Sequence, residues 1–298
     1  MNGGEPAMNK SLRLSSFLLV TGIVLGLVVT AHAVPYTYET IDFLGADRTL
    51  AFGINDAGKI VGQYSDSSGS HGFLDNTTFD FTGASTTRVY DINNACQIVG
   101  YYVDFSGDYH GFLDNTTIDF AEADQTFVFG INDAGKIVGR YSDSSGTYGF
   151  LDSATIDFTG ANWTIAADIN DDGHVVGEYN DSSGTHGFLD DTTIDFPAAI
   201  STRATGINDF GQIVGYYIDS SDMYHGFLDN ITIDFPGATE TRAQGINNVG
   251  QIVGYYIDSN DVPHGFLATP TPVPEPATVL LLGTGLVGLV GFRKKFKK

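Results

Sequence analysis

The sequence between residues 34 and 268 consists of one unit written six times, which limits the fold more than any other feature of the chain. Each copy contains a Gly/Asp-Ile-Asn-Asp/Asn turn, followed by Ile/Val-Val-Gly and by His-Gly-Phe-Leu, with Tyr for His in the third copy. The first five copies end with an Ile/Phe-Asp-Phe segment. Successive copies are 38 or 39 residues apart, and the asparagines of the turn are Asn55, Asn93, Asn132, Asn170, Asn208 and Asn247. The short segments are rich in β-branched and aromatic residues and are bounded by turn-forming Asn, Asp and Gly. The pattern predicts four antiparallel strands per unit, a longer connection between residues 81 and 90, and no helix.

Four short strands repeated in this way are typical of a β-propeller with one blade per unit. Small residues before the first asparagine, Ala51 and Gly53, suit a strand beside a crowded central axis. The sixth copy ends at Leu267 without an Ile/Phe-Asp-Phe segment, whereas an extra copy of that segment follows Tyr38 near the N-terminus. A closed ring can use this extra strand to complete its last blade and remove an open edge. We therefore predict an all-β, six-bladed β-propeller of four-stranded antiparallel blades, closed by the N-terminal strand. A β-solenoid is the competing architecture.

The first 33 residues have the organisation of a secretory signal peptide. Two basic residues precede an apolar run at 17–29, and Ala31 and Ala33 form an A-x-A cleavage site in front of Val34. The run is short for a membrane span, so we expect a mature chain that begins at Val34. An uncleaved anchor is the alternative.

The opposite end of the chain also carries a targeting signal rather than a further folded domain. Residues 269–276 are rich in proline, which opposes helix and sheet formation and predicts an extended spacer. Residues 277–298 form an uncharged apolar stretch with a basic tip, which predicts a short membrane helix. By the positive-inside rule, the tip lies in the cytoplasm and the acidic body outside.

This C-terminal segment resembles a PEP-CTERM sorting signal. The resemblance rests on Val273, Pro274, Glu275 and Pro276, on the apolar stretch that follows, and on the basic tip beginning at Arg293. It implies a Gram-negative bacterium and an exosortase-type enzyme that processes the tail. The protein would be held in the membrane by the C-terminal helix before processing, and would then reside at the cell surface or in the extracellular matrix.

The repeat resembles the HAF-type extracellular repeat family, whose members carry Gly-Ile-Asn-x-x-Gly-x-(Ile/Val)-Val-Gly and His-Ala/Gly-Phe cores. The match covers residues 36–267, with Gly72 and its equivalents at the middle position of the second core. The resemblance implies an extracellular location and a repeat architecture, and it implies no particular activity.

Charge excludes one class of partner. Residues 34–272 contain 7 Lys and Arg against 34 Asp and Glu, so their formal net charge is 7 − 34 = −27. Such a surface repels phosphate backbones, and we predict no nucleic-acid binding.

The single cysteine, Cys96, excludes an internal disulfide. It replaces the glycine of the Asn-x-x-Gly turn, which predicts a slightly strained, solvent-reachable residue with positive φ and no catalytic role.

Three sets of polar residues were weighed as sites. The histidines of the repeat are interpreted as structural, because equivalent positions in different blades lie far apart unless they face the axis; they are His71, His110, His186, His225 and His264, with Tyr148 in the third copy. The repeated aspartates could form carboxylate pairs for glycoside hydrolysis; they are Asp42, Asp80, Asp119, Asp157, Asp195 and Asp234 in Ile/Phe-Asp-Phe, and Asp75, Asp114, Asp152, Asp190 and Asp229 after His-Gly-Phe-Leu. The Asp-Ser-Ser-Gly turns at 66–69, 143–146 and 181–184 are interpreted as ordinary hairpin turns, with weak Ca²⁺ contact as the alternative.

The sequence therefore predicts a non-enzymatic surface or extracellular-matrix protein whose propeller is a binding or interaction scaffold for an extracellular polysaccharide or a surface protein. No catalytic residue and no cofactor are predicted, and the arginines are interpreted as scattered single residues. The alternative is a secreted propeller-type hydrolase acting on polysaccharide. A single pocket that gathers unlike polar residues would favour the hydrolase, and equivalent shallow sites on every blade would favour the scaffold.

Overall fold

The computed structural model describes residues 36–271, which contain 24 β-strands and no helix. Accordingly, this part of the chain has no helix that is long and apolar enough to span a membrane. The predicted signal peptide and its cleavage site at Val34, the PEP motif and the C-terminal helix lie outside the described residues.

The strands form six four-stranded antiparallel sheets. Strand β1 (Tyr36–Ile41) comes first in the chain and belongs to the sixth sheet. Blade 1 contains β2 (Arg48–Ile54), β3 (Ile60–Asp66), β4 (Gly69–Leu74) and β5 (Thr77–Phe79). Blade 2 contains β6 (Ala84–Ile92), β7 (Ile98–Asp104), β8 (Tyr109–Leu113) and β9 (Thr116–Ile118). Blade 3 contains β10 (Gln125–Ile131), β11 (Ile137–Asp143), β12 (Gly146–Leu151) and β13 (Ala154–Ile156). Blade 4 contains β14 (Trp163–Ile169), β15 (Val175–Asp181), β16 (Gly184–Leu189) and β17 (Thr192–Ile194). Blade 5 contains β18 (Ser201–Ile207), β19 (Ile213–Ile218), β20 (Tyr224–Leu228) and β21 (Ile231–Thr232). Blade 6 contains β22 (Glu240–Ile246), β23 (Ile252–Ile257), β24 (Pro263–Pro270) and β1.

The first strand of each blade lies innermost. These inner strands, β2, β6, β10, β14, β18 and β22, contact one another in sequence, and β22 contacts β2. The prediction of a six-bladed propeller is therefore confirmed, and the β-solenoid alternative is wrong. Strand β1 pairs with β24 at the outer edge of blade 6, with Tyr38 opposite Ala268 and Ile41 opposite Gly265. That this pairing is what holds the ring closed stays a prediction.

The hydrophobic core is divided into six clusters, and each lies between two consecutive blades. A fully buried valine of one blade packs against the inner and second strands of the next, as Val61 of blade 1 does against Val89 and Ile92 of blade 2. The cluster around Val253 joins blade 6 to blade 1 in the same way. Because both faces of a blade are buried, its apolar residues do not alternate strictly with polar ones.

Stacked aromatic rings repeat at each of these junctions. The phenylalanine of Ile/Phe-Asp-Phe stacks on the tyrosine of the next blade's second strand, with ring centroids 3.7–4.5 Å apart. The pairs are Phe43–Tyr64, Phe81–Tyr102, Phe120–Tyr141, Phe158–Tyr179, Phe196–Tyr217 and Phe235–Tyr256. The Ile/Phe-Asp-Phe segment that follows one blade therefore packs against the second strand of the next blade.

Two boundaries differ from the sequence interpretation. The predicted long connection between residues 81 and 90 is mostly strand, because β6 already begins at Ala84, with a register shift between Ala84 and Thr86, and ends at Ile92. Strand β24 extends into the segment 269–276 that was predicted to be a Pro-rich spacer, since Thr269 and Pro270 still pair with β1. Proline is tolerated at this place because the pairing of β24 with β23 ends at Ala268, so no hydrogen bond to β23 is required of Pro270.

Candidate functional site

One end of the propeller axis is closed by a ring of hydrogen bonds between the turn asparagines. The side chain of each asparagine donates from Nδ2 to the main-chain carbonyl of the next, at 3.0–3.2 Å, and the ring closes from Asn247 to Asn55. All six asparagines are 3–4% exposed. Each Oδ1 atom also accepts a backbone N–H of its own turn, as Asn132 does from Lys136 at 3.0 Å. The invariant asparagine of the repeat is therefore structural.

A second ring lies outside the first and is formed by the next residue of each turn. Every backbone N–H here donates to the Oδ1 atom of the following blade's side chain, at 2.7–2.9 Å. The six residues are Asp56, Asn94, Asp133, Asp171, Asp209 and Asn248. Their concavity holds about 70 Å³, room for only a few water molecules. Burial, followed by the neighbouring carboxylates, raises the pKa of Asp171. The described residues contain no group of three or more His, Cys, Asp or Glu side chains with the geometry of a metal site.

Farther along the axis, six cross-strand pairs between inner and second strands form what we call the axial layer. They are Leu50–Gln63, Arg88–Tyr101, Phe127–Arg140, Ile165–Glu178, Arg203–Tyr216 and Arg242–Tyr255. The next axis-facing position of the inner strands holds Phe52, Tyr90, Phe129, Ala167, Thr205 and Gln244. Between these positions and the asparagine ring, one residue of each inner strand lines the axis. It is Gly in four blades, Asp91 in blade 2 and Asp168 in blade 4.

The axis-facing residues differ between blades, whereas their neighbours on the same strands repeat. The residue before each axial-layer position of the inner strand is a buried Thr in all six blades. On the second strands, Val-Gly precedes and Tyr follows the axial-layer residue in all six. The six positions between that Gly and Tyr nevertheless hold Gln, Tyr, Arg, Glu, Tyr and Tyr. A symmetric framework therefore carries an asymmetric lining.

Part of the axial layer and the residues beneath it line a cavity of about 240 Å³; the axial-layer members of this wall are Leu50, Arg88, Ile165, Glu178, Tyr216 and Tyr255. Its wall includes Arg88, Glu178 and the rings of Tyr90, Tyr216 and Tyr255. This volume is slightly below the usual range of small-molecule pockets, which is about 300–1,000 Å³. The cavity suits a single ring-sized ligand or the end of a longer chain.

Two of the four arginines of the axial layer have carboxylate partners. Arg203 Nη1 donates to Glu178 Oε1 at 2.7 Å, and Arg242 Nη2 donates to Glu240 at 2.9 Å. Burial raises the pKa of Glu178 more than Arg203 lowers it. The guanidinium of Arg242 also lies 3.9 Å from the centroid of Tyr224 and donates to Tyr255 Oη at 3.0 Å.

The other two arginines contact aromatic groups instead. Arg88 Nη1 donates to Tyr90 Oη at 3.2 Å, and its guanidinium lies 5.5 Å from the centroid of Tyr101. The guanidinium of Arg140 lies 4.2 Å from the centroid of Phe127. Within residues 36–271, neither arginine forms a salt bridge. Burial is the largest cause of the lowered pKa of Arg140. The interpretation of the arginines as scattered is wrong, because four of the seven basic residues of this region converge on the axis.

Buried polar atoms without hydrogen-bond partners are also concentrated here. Among the described side chains there are four such atoms, Gln63 Oε1, Arg88 Nε, Glu178 Oε2 and Arg242 Nε. Glu178 Oε2 is 2.6 Å from Arg203 Nη1 but outside hydrogen-bonding geometry. All four residues belong to the axial layer. Buried polar groups are normally satisfied, so the other three atoms leave room for hydrogen bonds from water or from a ligand in this layer.

Asp91 and Asp168 lie on the cavity wall, separated by the inner strand of blade 3. Each accepts a backbone N–H from the following blade at 2.9 Å, Asp91 from Ile131 and Asp168 from Ile207. Burial raises the pKa of Asp91 to about 6. Burial, followed by the charge of Asp91, also raises the pKa of Asp168 well above its usual value. An Asp fits at this level only beside Gly, because a Cβ on Gly130 would lie 2.8 Å from the Cα atom of Asp168.

The repeated histidines lie on the blades and do not meet one another. Each Nδ1 atom pairs with the aspartate of Ile/Phe-Asp-Phe at 2.7–3.0 Å, as His71 does with Asp80. Each Nε2 atom faces the hairpin aspartate at 3.5–3.9 Å, as His71 does Asp66. These contacts support the structural interpretation of His71, His110, His186, His225 and His264. Tyr148 takes the same place in blade 3, where Tyr148 Oη donates to Ser145 at 3.1 Å.

The two sets of repeated aspartates do not form carboxylate pairs. Those after His-Gly-Phe-Leu adopt φ of 52–53° and accept the N–H that begins the second strand, as Asp75 does from Ile60 at 2.9 Å. Five of the six in Ile/Phe-Asp-Phe bind histidine, as Asp80 does, and Asp157 accepts a hydrogen bond from Thr164 at 3.4 Å. In the Asp-Ser-Ser-Gly turns, Asp66 accepts the backbone N–H of Ser68 at 2.7 Å, and hydrogen bonds from Ser68 lower its pKa. These carboxylates already have partners, and Ca²⁺ contact at the turns stays a prediction.

Cys96 has φ of 63° and is exposed, which confirms the predicted turn conformation.

The sequence interpretation missed the axial layer because it searched for residues that repeat. An alignment of the six copies could have found it, because one position differs between copies while the residues on both sides are constant. That position is the residue between Val-Gly and Tyr.

No curated protein is detectably similar to the chain in sequence. The resemblance of the repeats to the HAF-type family has no support from these comparisons and stays a hypothesis. Residues 272–295 match the PEP-CTERM protein-sorting motif, which marks the chain as an exported protein with a C-terminal sorting signal for an exosortase-type system.

Proposed function

We propose that this protein is an exported, exosortase-sorted propeller that binds one small molecule, or the end of an extracellular glycan, in its axial cavity without transforming it. The site is single and asymmetric, so the proposal replaces the repeated shallow sites that the sequence suggested. The mature protein would act at the cell surface or in the extracellular matrix, and the C-terminal segment would hold it in the membrane until processing.

The observation that carries this proposal is the asymmetric lining of a symmetric ring. A propeller that only needed to close could use the same side chains at the axis in every blade, as it does between the blades. Instead, the axial layer combines arginines, tyrosines and Glu178, and it holds the four buried polar atoms of the described side chains that form no hydrogen bond. A few converging polar groups among aromatic walls are typical of a ligand site.

Binding is favoured over catalysis because the carboxylates at the cavity are already engaged. Asp91 and Asp168 each accept a backbone N–H from the next blade, and Glu178 pairs with Arg203. A general acid or a nucleophile must reach the reacting bond, and these groups are held by the framework.

The test is a glycan-array screen of the full chain in detergent, followed by titration of any hit against Ala167→Phe. Ala167 lies on the cavity wall, and the equivalent positions in blades 1 and 3 are Phe52 and Phe129. The larger ring should therefore fill the cavity without changing the framework. The expected result is loss of binding with an unchanged melting temperature. A hit that binds this variant as tightly as the parent chain would contradict an axial site.

A polysaccharide hydrolase is the second candidate, and the raised pKa values of Asp91 and Asp168 favour it. Two coupled buried carboxylates are found in acid–base active sites. Release of reducing sugar from a bound glycan, abolished in Asp91→Asn, would establish this function. Intact recovery of the bound glycan would exclude hydrolysis of that substrate.

A further inference from the structure

The wall of the axial cavity contains one basic residue and three acidic ones. The basic residue is Arg88, and the acidic residues are Asp91, Asp168 and Glu178. Glu178 is paired with Arg203, which donates to its Oε1 atom at 2.7 Å from outside this wall. In the described part of the chain, neither Asp91 nor Asp168 forms a salt bridge. These two carboxylates are therefore the charges that the cavity leaves without an opposite charge.

Asp91 and Asp168 lie at the end of the cavity nearest to the asparagine ring, which we call its floor. Among the described residues, they are the only two that line both this cavity and the concavity of the second ring. That concavity adds four carboxylates, from Asp56, Asp133, Asp171 and Asp209, and none of the described residues that line it is Lys or Arg. Arg88 belongs to the axial layer, at the other end of the cavity. The floor is therefore acidic from both sides.

The titration of these groups reflects the same excess of negative charge. Burial raises the pKa of Asp91 to about 6, and the charge of Asp133 adds to the rise while backbone N–H groups oppose it. Burial, followed by the charges of Asp91 and then Asp209, raises the pKa of Asp168. A carboxylate with a raised pKa favours bound positive charge, which is a proton in the free protein. An ammonium group beside the two carboxylates would take the place of that proton.

The rest of the wall suits an organic cation. The rings of Phe52, Tyr90, Phe129, Tyr216 and Tyr255 line the cavity. Aromatic faces attract ammonium groups and pack against the apolar C–H groups of a ligand. The side chains of the described residues contain no group of three or more His, Cys, Asp or Glu placed to hold a metal ion. A volume of about 240 Å³ holds one six-membered ring with its substituents.

The direction of entry follows from the rings of hydrogen bonds. Both rings lie at the end of the axis where the inner strands finish, and the six asparagines of the first ring are buried. The concavity at that end holds only about 70 Å³. A ring-sized ligand is therefore expected to enter from the opposite end, past the axial layer, with its charged group directed to the floor.

We propose that the axial cavity binds a ring-sized organic ammonium ion, with the ammonium group beside Asp91 and Asp168 at the floor and the ring against the aromatic wall. This inference rests on the proposed function and names its ligand class. A carboxylate has about four acceptor positions, and Asp168 uses two of them for the backbone N–H groups of Ile169 and Ile207. Positions therefore remain for charge-assisted hydrogen bonds from an ammonium group. An amino sugar at the end of a glycan and a free amine share this chemistry.

The experiment is isothermal titration calorimetry of the full chain in detergent at neutral pH, with glucosamine, glucose and cyclohexylamine as probes. Glucosamine carries an ammonium group where glucose has a hydroxyl, and cyclohexylamine keeps the ammonium group on a ring without hydroxyls. We expect glucosamine to bind about tenfold or more tightly than glucose. Tighter binding of glucosamine than of cyclohexylamine would identify an amino sugar as the source, and the reverse order a free amine. Either order supports the inference if glucose binds more weakly than both.

Asp91→Asn and Asp168→Asn each remove one charge from the floor and keep one oxygen for a backbone N–H. Each should weaken glucosamine binding about tenfold or more. Asp191→Asn is the matched control, because Asp191 is exposed in the turn between β16 and β17 and its loss removes the same charge from the chain. It should leave glucosamine binding within about a factor of two. A thermal melt of each variant separates lost binding from lost folding, and the comparison of glucosamine with glucose needs no variant.

Three results would overturn the inference. Equal affinities for glucosamine and glucose would show that the ammonium group is not recognised. Unchanged glucosamine affinity in the folded Asp91→Asn and Asp168→Asn variants would place the cation elsewhere. No heat with either amine up to about 10 mM would exclude this ligand class. None of these touches the proposed function, which fails on a different observation, a ligand whose binding is indifferent to Ala167→Phe.

Discussion

Substitution of one ring asparagine tests whether the ring of hydrogen bonds holds the blades together at the axis. Asn132→Ala removes two hydrogen bonds, from Lys136 N to Oδ1 at 3.0 Å and from Nδ2 to the carbonyl of Asn170 at 3.1 Å. The first loss leaves the N–H of Lys136 without a partner, at a cost of about 1–3 kcal/mol. The second costs less, about 0.5–1.5 kcal/mol, because the carbonyl of Asn170 keeps the N–H of Gly173.

The expected loss in free energy of unfolding is therefore about 2–4 kcal/mol. In a domain of this size that corresponds to a fall in melting temperature of about 5–15 °C. Thermal unfolding followed by circular dichroism measures it. Lys136→Ala is the control, because the Lys136 side chain is exposed and its backbone N–H remains; it should change stability by less than about 0.5 kcal/mol. If Asn132→Ala has the same melting temperature as Lys136→Ala, the asparagine ring does not stabilise the junction of blades 3 and 4.

Four further predictions follow from other parts of the chain. Deletion of residues 34–44 removes β1 and the Phe43–Tyr64 stack, so we expect a lower melting temperature and aggregation in light scattering; unchanged melting would show that β1 does not close the ring. Cys96→Gly should stabilise the fold by up to about 1 kcal/mol in urea titration, because φ is 63°, and a clear loss would contradict the strain. The folded-state pKa of Asp91 is raised from 3.8 to about 6, so native Asp91 binds its proton more tightly and stability should fall as pH rises from about 4 to 6. Asp91→Asn, which keeps an oxygen for the Ile131 N–H, should reduce that fall, and an unchanged pH profile would contradict the shift. Deletion of residues 277–298 should move the protein from membrane to medium in a cell fractionation, and retention in the membrane would contradict the sorting role.

The sequence allowed the framework to be predicted because the framework is what repeats. Asn55 and its equivalents, the Val-Gly pairs and the phenylalanines that stack between blades recur at 38 or 39 residues, and local propensity agrees with this spacing. The number of blades and the four-stranded sheets follow from them. The partner of β1 could be predicted for the same reason, since one missing segment matched one extra segment.

The axial site could not be predicted in this way. Arg88 and Glu178 lie 90 residues apart in sequence and come from blades 2 and 4, so only closure of the ring brings them to one cavity. Alternation along a strand shows that two faces exist, but it does not show which face points to the axis. That assignment depends on how one blade packs on the next, and this packing is a tertiary property.

The asparagine ring has a consequence for how pieces of this protein should behave. Each blade donates to the next and accepts from the one before, so every junction is a head-to-tail contact of the kind that closes cyclic oligomers. A fragment of blades would carry one free donor at one end and one free acceptor at the other. Three copies of a two-blade fragment, or two copies of a three-blade fragment, would present the same six junctions as the intact chain. The covalent connection between blades then sets which blades are neighbours, while the geometry of a single junction sets how many are needed to complete a turn.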